Sequence, residues 1–252
     1  MSDTRLFVPA AQLGGARVVI EGDAHKHVAR VLRARPGDAL VLFDGEGGEV
    51  DAMVETVGAR EATLVLGARR TAAAPVVAIT LLVAVPRGER MDLLVQKTTE
   101  LGVARIMPVL SGRSVARPEP GSSRTERWDK IAREAARQCG RADVPRLDAP
   151  TPLAAAVGDE ALPPLRFATW EAARGEAAPS LRRALAAAFA AELAPRGLAL
   201  LVGPEGGFAA EEIAEAEAHG FSAVGLGPRI LRVETAAIAA VTLAQAAAGG
   251  LD

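Results

Sequence analysis

Cysteine is nearly absent from this sequence, since Cys139 is the single one among 252 residues. One thiol cannot form a disulfide within the chain, and it excludes a metal site made of several cysteines. The chain also lacks any stretch near the roughly 20 continuous apolar residues that a membrane-spanning helix needs. Its polar start, MSDTRLFVPA, has no basic segment followed by an apolar one, as an export signal would have. We therefore expect a cytoplasmic protein.

Charge of one sign is not in large excess either, because 29 Lys and Arg stand against 31 Asp and Glu. The net charge therefore gives no argument for a nucleic-acid partner. Between Arg113 and Arg141, however, eight basic residues meet only four acidic ones. This stretch is either a surface that faces phosphates or a solvated helix in which pairs such as Glu126 and Lys130 neutralise each other. The sequence leaves both interpretations open.

The first part of the chain has a β pattern. Up to about Ala68, short β-prone runs are separated by turns, with a single helical insert in residues 23–38. The stretch from Arg69 to Pro75 breaks this pattern, so we place the boundary there and predict domains over residues 1–72 and 73–252. The predicted strands of the first domain are Ala16–Glu21, Ala39–Asp44, Gly48–Val57 and Ala62–Leu66.

Beyond the boundary, strand-like and helix-like segments alternate five times. This alternation predicts an α/β fold, in which a parallel sheet is covered by helices. Gly102 and Gly220 stand where a helix-ending glycine is expected. Because ligands of open α/β sheets bind at the carboxyl ends of the strands, we expect the functional site at that edge.

A first unusual turn, LVGPEGGF in residues 201–208, follows a predicted strand at that edge. Gly203 and Pro204 lead out of the strand, and Gly206 and Gly207 allow the backbone to approach a ligand closely. A phosphate cradle is disfavoured, because two acidic residues begin the next helix and no P-loop lysine follows. The turn suits a neutral or cationic ligand better.

A second turn, LGPRILRVETA in residues 226–236, surrounds a Gly-Pro bend with apolar side chains. An adenine ring needs an apolar slot and backbone hydrogen bonds, which such a loop can supply. Arg229, Arg232 and Glu234 follow the bend. The two arginines are either site groups or surface charges, and Glu234 is either a site group or a first-turn carboxylate that favours the helix dipole.

The two turns resemble the cofactor-binding region of the SPOUT class of S-adenosylmethionine-dependent RNA methyltransferases. They are more similar still to the ribosomal RNA small subunit methyltransferase E family, which methylates N3 of one uridine in 16S ribosomal RNA. Three further blocks resemble that family in the same order, and five ordered blocks make a specific signal. The further blocks are residues 25–45, 96–114 and 127–145.

This resemblance implies a PUA-like β-barrel that binds RNA, followed by a SPOUT domain with a C-terminal trefoil knot. It also implies S-adenosylmethionine as the cosubstrate and a homodimer, for which the last helix, Ala236–Ala248, is a plausible contact. The substrate would be 16S ribosomal RNA, within the small ribosomal subunit. No metal is expected, because His25 and His27 have no further ligand at a suitable spacing.

The resemblance also assigns site residues. The expected cofactor-binding residues are Leu201, Val202, Gly203, Pro204, Gly206, Gly207, Leu226, Gly227, Ile230 and Leu231. The expected RNA-binding residues are His27, Arg30, Arg33, Arg113, Arg127, Lys130 and Arg141.

The chemistry requires that uridine N3–H lose its proton, so the site needs a proton acceptor and a group that stabilises the uridinate. We expect Arg232 to stabilise the charge, because a guanidinium stays charged and offers several donors. Glu234 or Glu205 would accept the proton. Two alternatives stay open: a SPOUT enzyme with another RNA target or a ribose 2′-hydroxyl acceptor, and a catalytically silent RNA-binding protein of ribosome assembly.

Overall fold

The computed structural model divides the chain into two compact units. The first unit is Met1–Ala74 with Arg133–Val144, and the second is Pro75–Ala132 with Pro145–Asp252. The residues described are 4–114, 121–173, 179–190 and 196–251.

The segment Arg133–Val144 differs from the sequence-based division, which assigned it to the second domain. Its inclusion in the first unit has a packing reason, because Ala136 and Ala142 are buried against Phe43 in a small apolar cluster. Nothing in the sequence marks this contact, since alanines on a helix pack in many environments. The functional division between residues 72 and 73 stays a prediction.

The first unit contains a mainly antiparallel sheet of five strands. The strands are β1 (Arg5–Phe7), β2 (Arg17–Glu21), β3 (Ala39–Phe43), β4 (Gly48–Val57) and β5 (Glu61–Thr71). Their order is β1-β3-β4-β5-β2, and β1 alone is parallel to its neighbour. In β2, buried and exposed residues alternate, as expected where one face of a sheet covers a core. The sequence did not predict β1, because three residues are too few to show an alternation.

The helical insert of the first unit is confirmed, but its geometry is irregular. It consists of α1 (Gly22–Lys26) followed by a single π-helical turn over His27–Val31. Arg33 follows with φ of 50°, which is unusual for a residue with a side chain. π-Helical turns are frequent at functional sites, and this one contains His27 and Arg30, two of the residues expected to bind RNA.

The second unit has a parallel sheet, as the alternation of segments predicted. Its strands are β6 (Ala78–Ala84), β7 (Val103–Leu110), β8 (Arg146–Leu147), β9 (Thr151–Pro152), β10 (Leu165–Thr169), β11 (Gly197–Val202) and β12 (Ser222–Val224). The order is β12-β10-β11-β6-β7-β8, with β9 also pairing with β7. The central strands β6 and β11 are almost fully buried, since helices cover both faces.

The helices after α1 alternate with these strands. They are α2 (Arg90–Glu100), α3 (Ser123–Cys139), α4 (Leu153–Val157), α5 (Leu181–Phe189), α6 (Ala210–Ala218) and α7 (Val233–Ala248). Gly102 and Gly220 have φ of 85° and 81°, which confirms them as helix-ending glycines. No helix in these ranges is both long and apolar enough to cross a bilayer.

Candidate functional site

A cavity of about 270 Å³ lies in the second unit, at the carboxyl ends of β10, β11 and β12. This is the sheet edge at which ligands of open α/β proteins bind. The volume is close to the lower end of small-molecule sites, about 300 Å³. Three chain segments line the cavity: Thr169–Glu171, Val202–Gly207, and part of the stretch after β12. The lining residues of that last stretch are Leu226, Gly227, Arg229, Ile230, Leu231, Val233 and Ala236.

The loop after β11 is a tight turn, closed by a 2.9 Å hydrogen bond from Gly207 N to the Pro204 carbonyl oxygen. A side chain at Gly203 would meet the buried ring of Phe208 at 3.0 Å. Gly207 has φ of 67°, in the left-handed region that favours glycine. The absence of side chains at Gly203 and Gly207 therefore lets Phe208 pack against the loop and lets its backbone adopt this turn.

Arg113 and Glu212 connect this loop and the start of the following helix to the segment after β7. Arg113 donates from Nη1 to the Gly206 carbonyl oxygen at 2.8 Å. Glu212 accepts from Gly112 N at 2.8 Å and from Ala209 N at 2.9 Å. Arg113 was expected to contact RNA, but its guanidinium binds the loop of the cavity. Glu212 was expected to repel anions, and its contacts show that it also caps its helix and fixes the loop before it.

Arg90 connects the two loops of the cavity through their carboxylates. Its Nη1 donates to Glu205 Oε1 at 3.1 Å, and its Nε lies 3.9 Å from Glu234 Oε1. Glu205 Oε1 also accepts from Arg87 N at 3.1 Å. The side chain of Glu234 is only 10% exposed, and its Oε2 is buried without a hydrogen-bond partner among the described residues. Glu234 is therefore a buried carboxylate whose charge Arg90 compensates in part.

The loop after β12 begins at Gly225, which is pinned by neighbouring backbone. Gly225 N donates to the Pro179 carbonyl oxygen at 2.8 Å, and Leu181 N donates to the Gly225 carbonyl oxygen at 3.0 Å. The apolar side chains that follow line the cavity, as predicted. Ile230 is 77% exposed, which is unusual for a large apolar side chain.

Arg232 lies at the start of α7, between the lining residues Leu231 and Val233. Its side chain is exposed, does not line the cavity, and has no ion-pair partner among the described residues. Glu234 does not line the cavity either. Of the three residues predicted to be catalytic, only Glu205 forms part of the cavity wall.

Leu201 is the one predicted cofactor residue that the structure places elsewhere. Its side chain is fully buried in the core, where it packs with Phe208 and Ile213, and it does not line the cavity. The reason is strand alternation: along β11, neighbouring side chains point to opposite faces of the sheet. The other nine predicted cofactor residues line the cavity.

Thr169, Trp170 and Glu171 also line the cavity, although they were not among the predicted site residues. They follow β10, whose strand was predicted, so the strand-end rule could have included them. Glu171 is exposed, and its carboxylate lies directly against Gly207: a Cβ added to that glycine would be 1.7 Å from Glu171 Oε1. The cavity wall thus combines apolar side chains, loop backbone and carboxylates, which suits a flat apolar ring with an attached positive charge.

The predicted RNA residues of the first unit are mostly accessible. Arg30 and Arg33 are exposed, with no ion-pair partner among the described residues. His27 is half-buried, and burial, with a smaller effect of the Arg137 guanidinium, lowers its pKa. Arg141 is held by Asp143, with a 2.6 Å ion pair.

The predicted RNA residues of α3 differ from each other. Arg127 is engaged by Asp92 at 2.5 Å and by Glu89 at 3.5 Å. Lys130 is exposed and has no ion-pair partner among the described residues. The structure therefore supports Lys130 as an available cation more than Arg127. None of the described residues forms a group of three His, Cys, Asp or Glu that could hold a metal ion.

Two family models match the chain. Residues 72–245 match the family described as RNA methyltransferase domain, and residues 20–67 match the family described as RNA methyltransferase PUA domain. The chain is 35% identical over 236 residues to Ribosomal RNA small subunit methyltransferase E of Mycobacterium tuberculosis (strain CDC 1551 / Oshkosh), covering 90% of this chain and 85% of that protein. The protein of the same name from Synechocystis sp. (strain ATCC 27184 / PCC 6803 / Kazusa) is 32% identical over 233 residues, with 92% and 74% covered.

Solved structures of similar chains contain a ligand. A Legionella pneumophila protein in complex with the bound cofactor SAM has a TM-score of 0.85 and 32% identity, with 98% of each chain covered. Ribosomal RNA small subunit methyltransferase E from Neisseria gonorrhoeae, bound to S-adenosyl methionine, has a TM-score of 0.82 and 30% identity, with 97% of each chain covered.

Proposed function

Because the chain belongs to the ribosomal RNA small subunit methyltransferase E family, we propose that it methylates N3 of a uridine in 16S ribosomal RNA with S-adenosylmethionine as cosubstrate. The observation that carries this proposal is the cavity that both Gly-Pro loops line at the carboxyl edge of the sheet. A ligand there contacts two segments that are distant in sequence, as a dedicated site requires.

The cavity residues fit S-adenosylmethionine. Leu226, Ile230 and Leu231 offer apolar surface for a purine ring, and the backbone of the loop after β11, which lines the cavity, offers hydrogen-bonding groups. The nine predicted cofactor residues of the cavity wall are therefore our assignment of the cofactor site.

When bound, S-adenosylmethionine supplies an electrophilic methyl group on a sulfonium. The protein must hold the uridine in line with that group and stabilise the negative charge on the base as N3 loses its proton. We assign the stabilisation of this negative charge to Arg232. Its guanidinium is exposed and unpaired among the described residues, so it is available to the base.

We assign the proton acceptor to Glu205 in preference to Glu234. Glu205 is exposed and lines the cavity, and the donors Arg87 N and Arg90 Nη1 both bind its Oε1. Its other carboxylate oxygen is therefore the one that takes the N3 proton, while N3 gains the methyl group. Glu234 is too buried to meet the base, and it acts through Arg90 as a positioning residue.

The remaining family properties are also part of the proposal. Residues 1–72 form the RNA-binding domain, and the second domain, residues 73–252, ends in a trefoil knot. Two copies form a homodimer, in which the exposed Ile230 is a group that a second copy would cover. The last helix supports the dimer less than its composition suggested, because α7 packs on α2 and α5 of its own chain. Ribosomal RNA in the small subunit makes the cytoplasm the site of action.

Deletion of the gene tests this function. We expect mass spectrometry of 16S ribosomal RNA to show the loss of one base-methylated uridine, and the purified protein with S-adenosylmethionine to restore it on subunits from the deletion strain. A heat-denatured sample of the protein is the control. Unchanged methylation in the deletion strain contradicts the proposal, and restoration of a ribose methyl group instead would identify a different acceptor.

The salt dependence of RNA affinity tests two proposed RNA-binding surfaces, one around Arg30 and Arg33 in the first unit and one around Arg127 and Lys130 on α3. Each lost phosphate contact lowers the slope of log affinity against log salt by about 0.7 for single-stranded nucleic acid. For Arg30→Gln with Arg33→Gln, we expect a decrease of about 1.4, because both guanidinium groups are unpaired among the described residues. For Arg127→Gln with Lys130→Gln, we expect only about 0.7, because Arg127 is bound to Asp92.

The matched control for these variants is Arg182→Gln with Arg183→Gln, two exposed arginines on α5. Their replacement should leave the slope unchanged. Filter binding of a 16S fragment at several salt concentrations provides the measurement. If all three double variants keep the wild-type slope, the two surfaces are solvated faces and do not contact RNA.

A further inference from the structure

Glu171 is the cavity carboxylate for which the proposed mechanism has no role. It follows β10, lines the cavity, and is exposed. Both of its carboxylate oxygens lie close to Gly207, at 1.7 and 2.7 Å from the position that a Cβ on that glycine would occupy. Gly207 therefore provides the space in which this carboxylate lies against the loop.

The charges of the cavity wall are unequally compensated. Glu205, the other acidic residue of the wall, is paired with Arg90 at 3.1 Å. Glu171 has no hydrogen bond or ion pair with any described residue. The remaining charged residue of the wall, Arg229, is exposed on the loop after β12. Among the described residues, Glu171 is thus the acidic residue of the cavity wall with which no cation pairs.

We propose that Glu171 binds the cationic part of the cosubstrate and makes the site prefer the charged cosubstrate over neutral adenosine compounds. This inference rests on the proposed function. S-adenosylmethionine carries a sulfonium and an ammonium group, and a carboxylate that a bound ligand covers from water attracts such groups more strongly than an exposed one. Methyl transfer converts the sulfonium into a neutral thioether but leaves the ammonium unchanged, so the attraction decreases with the reaction only where the carboxylate faces the sulfonium.

Calorimetry with three ligands tests the proposal and separates the two cationic groups. S-adenosylmethionine has both charges, S-adenosylhomocysteine has only the ammonium, and methylthioadenosine has neither but keeps the adenine, ribose and sulfur. For Glu171→Gln, we expect S-adenosylmethionine to bind about fivefold more weakly, which is the upper range for a solvent-exposed ion pair. Methylthioadenosine should bind as it does to the wild-type protein.

The result for S-adenosylhomocysteine shows whether Glu171 binds the sulfonium or the ammonium of the cosubstrate. Unchanged binding of this ligand to Glu171→Gln assigns the carboxylate to the sulfonium, and weakened binding assigns it to the ammonium. Either result supports the proposal. An equal loss for all three ligands indicates a contact with the ribose or adenine and overturns it, and so does unchanged binding of all three.

The control variant is Glu217→Gln, which removes the same charge from an exposed position on α6. It should bind all three ligands as the wild-type protein does, which separates a local contact from an effect of net charge. The wild-type measurement, made with a metal chelator present, distinguishes a failure of the proposed function from a failure of the role proposed for Glu171. If the wild-type protein does not bind S-adenosylmethionine, the proposed function fails, whereas wild-type binding that Glu171→Gln leaves intact overturns only the role of Glu171.

Discussion

Arg232→Ala is expected to fold, to bind S-adenosylmethionine almost as well as the wild-type protein, and to lose about 100- to 1,000-fold in the rate of methyl transfer. That range is the usual cost of removing one preorganised electrostatic donor, about 2.7–4 kcal/mol. Cofactor affinity should persist because the Arg232 side chain does not line the cavity. Stability should persist because the side chain is exposed and makes no ion pair with a described residue.

Single-turnover transfer at saturating RNA and cosubstrate measures this effect, because it separates the chemical step from binding. Arg232→Lys should retain part of the rate, since it keeps the charge but loses the planar arrangement of donors. Arg182→Ala on α5 is the matched control for loss of an exposed guanidinium, and should react at the wild-type rate. An Arg232→Ala rate within about threefold of wild type, less than about 1 kcal/mol, would show that Arg232 does not act on the transition state.

The two loops of the cavity could be predicted because their sequence pattern is unusual. A Gly-Pro turn after a buried apolar run leaves few interpretations, and nine of the ten predicted cofactor residues line the cavity. The predicted family and class of enzyme are confirmed by the matching family models and relatives. Leu201 was included because it is adjacent to the turn, but the alternation along β11 points its side chain into the core.

Arg90 could not be predicted in the same way, and Glu171 could be predicted only from its position after β10. Each is an ordinary charged residue at the end of an element. Glu171 lines the cavity because β10 and β11 are neighbours, and Arg90 contacts the cavity residue Glu205 because α2 begins near the loop after β11. A single sequence can indicate which segments form strands, but it does not show the order of those strands in the sheet. The knot and the dimer stay predictions for a related reason, since both depend on how segments pass one another or on a second chain.

The second large effect is expected from replacement of Gly225, the glycine at which the loop after β12 begins. A Cβ at Gly225 would be 2.1 Å from the Ala173 carbonyl oxygen, far inside van der Waals contact. The backbone cannot easily move away, because Gly225 bonds to the Pro179 carbonyl oxygen and to Leu181 N. For Gly225→Ala, we expect a loss of about 1–3 kcal/mol of stability or more, as for overpacked sites. We also expect at least roughly tenfold weaker cosubstrate binding, about 1.4 kcal/mol, since the loop that lines the cavity begins at this residue.

Gly206→Ala is the matched control for the loss of stability, because it adds the same methyl group to the other loop. The nearest atom to its Cβ would be Arg113 Cδ at 3.4 Å, an ordinary contact. Thermal unfolding should therefore show a Tm near that of the wild-type protein for Gly206→Ala, but a decrease of about 2–4 °C per kcal/mol for Gly225→Ala. Calorimetric titration with S-adenosylmethionine gives the binding loss. Equal Tm values for the two variants, together with wild-type affinity of Gly225→Ala, would mean that the loop after β12 can shift without cost and that its close packing does not shape the cavity.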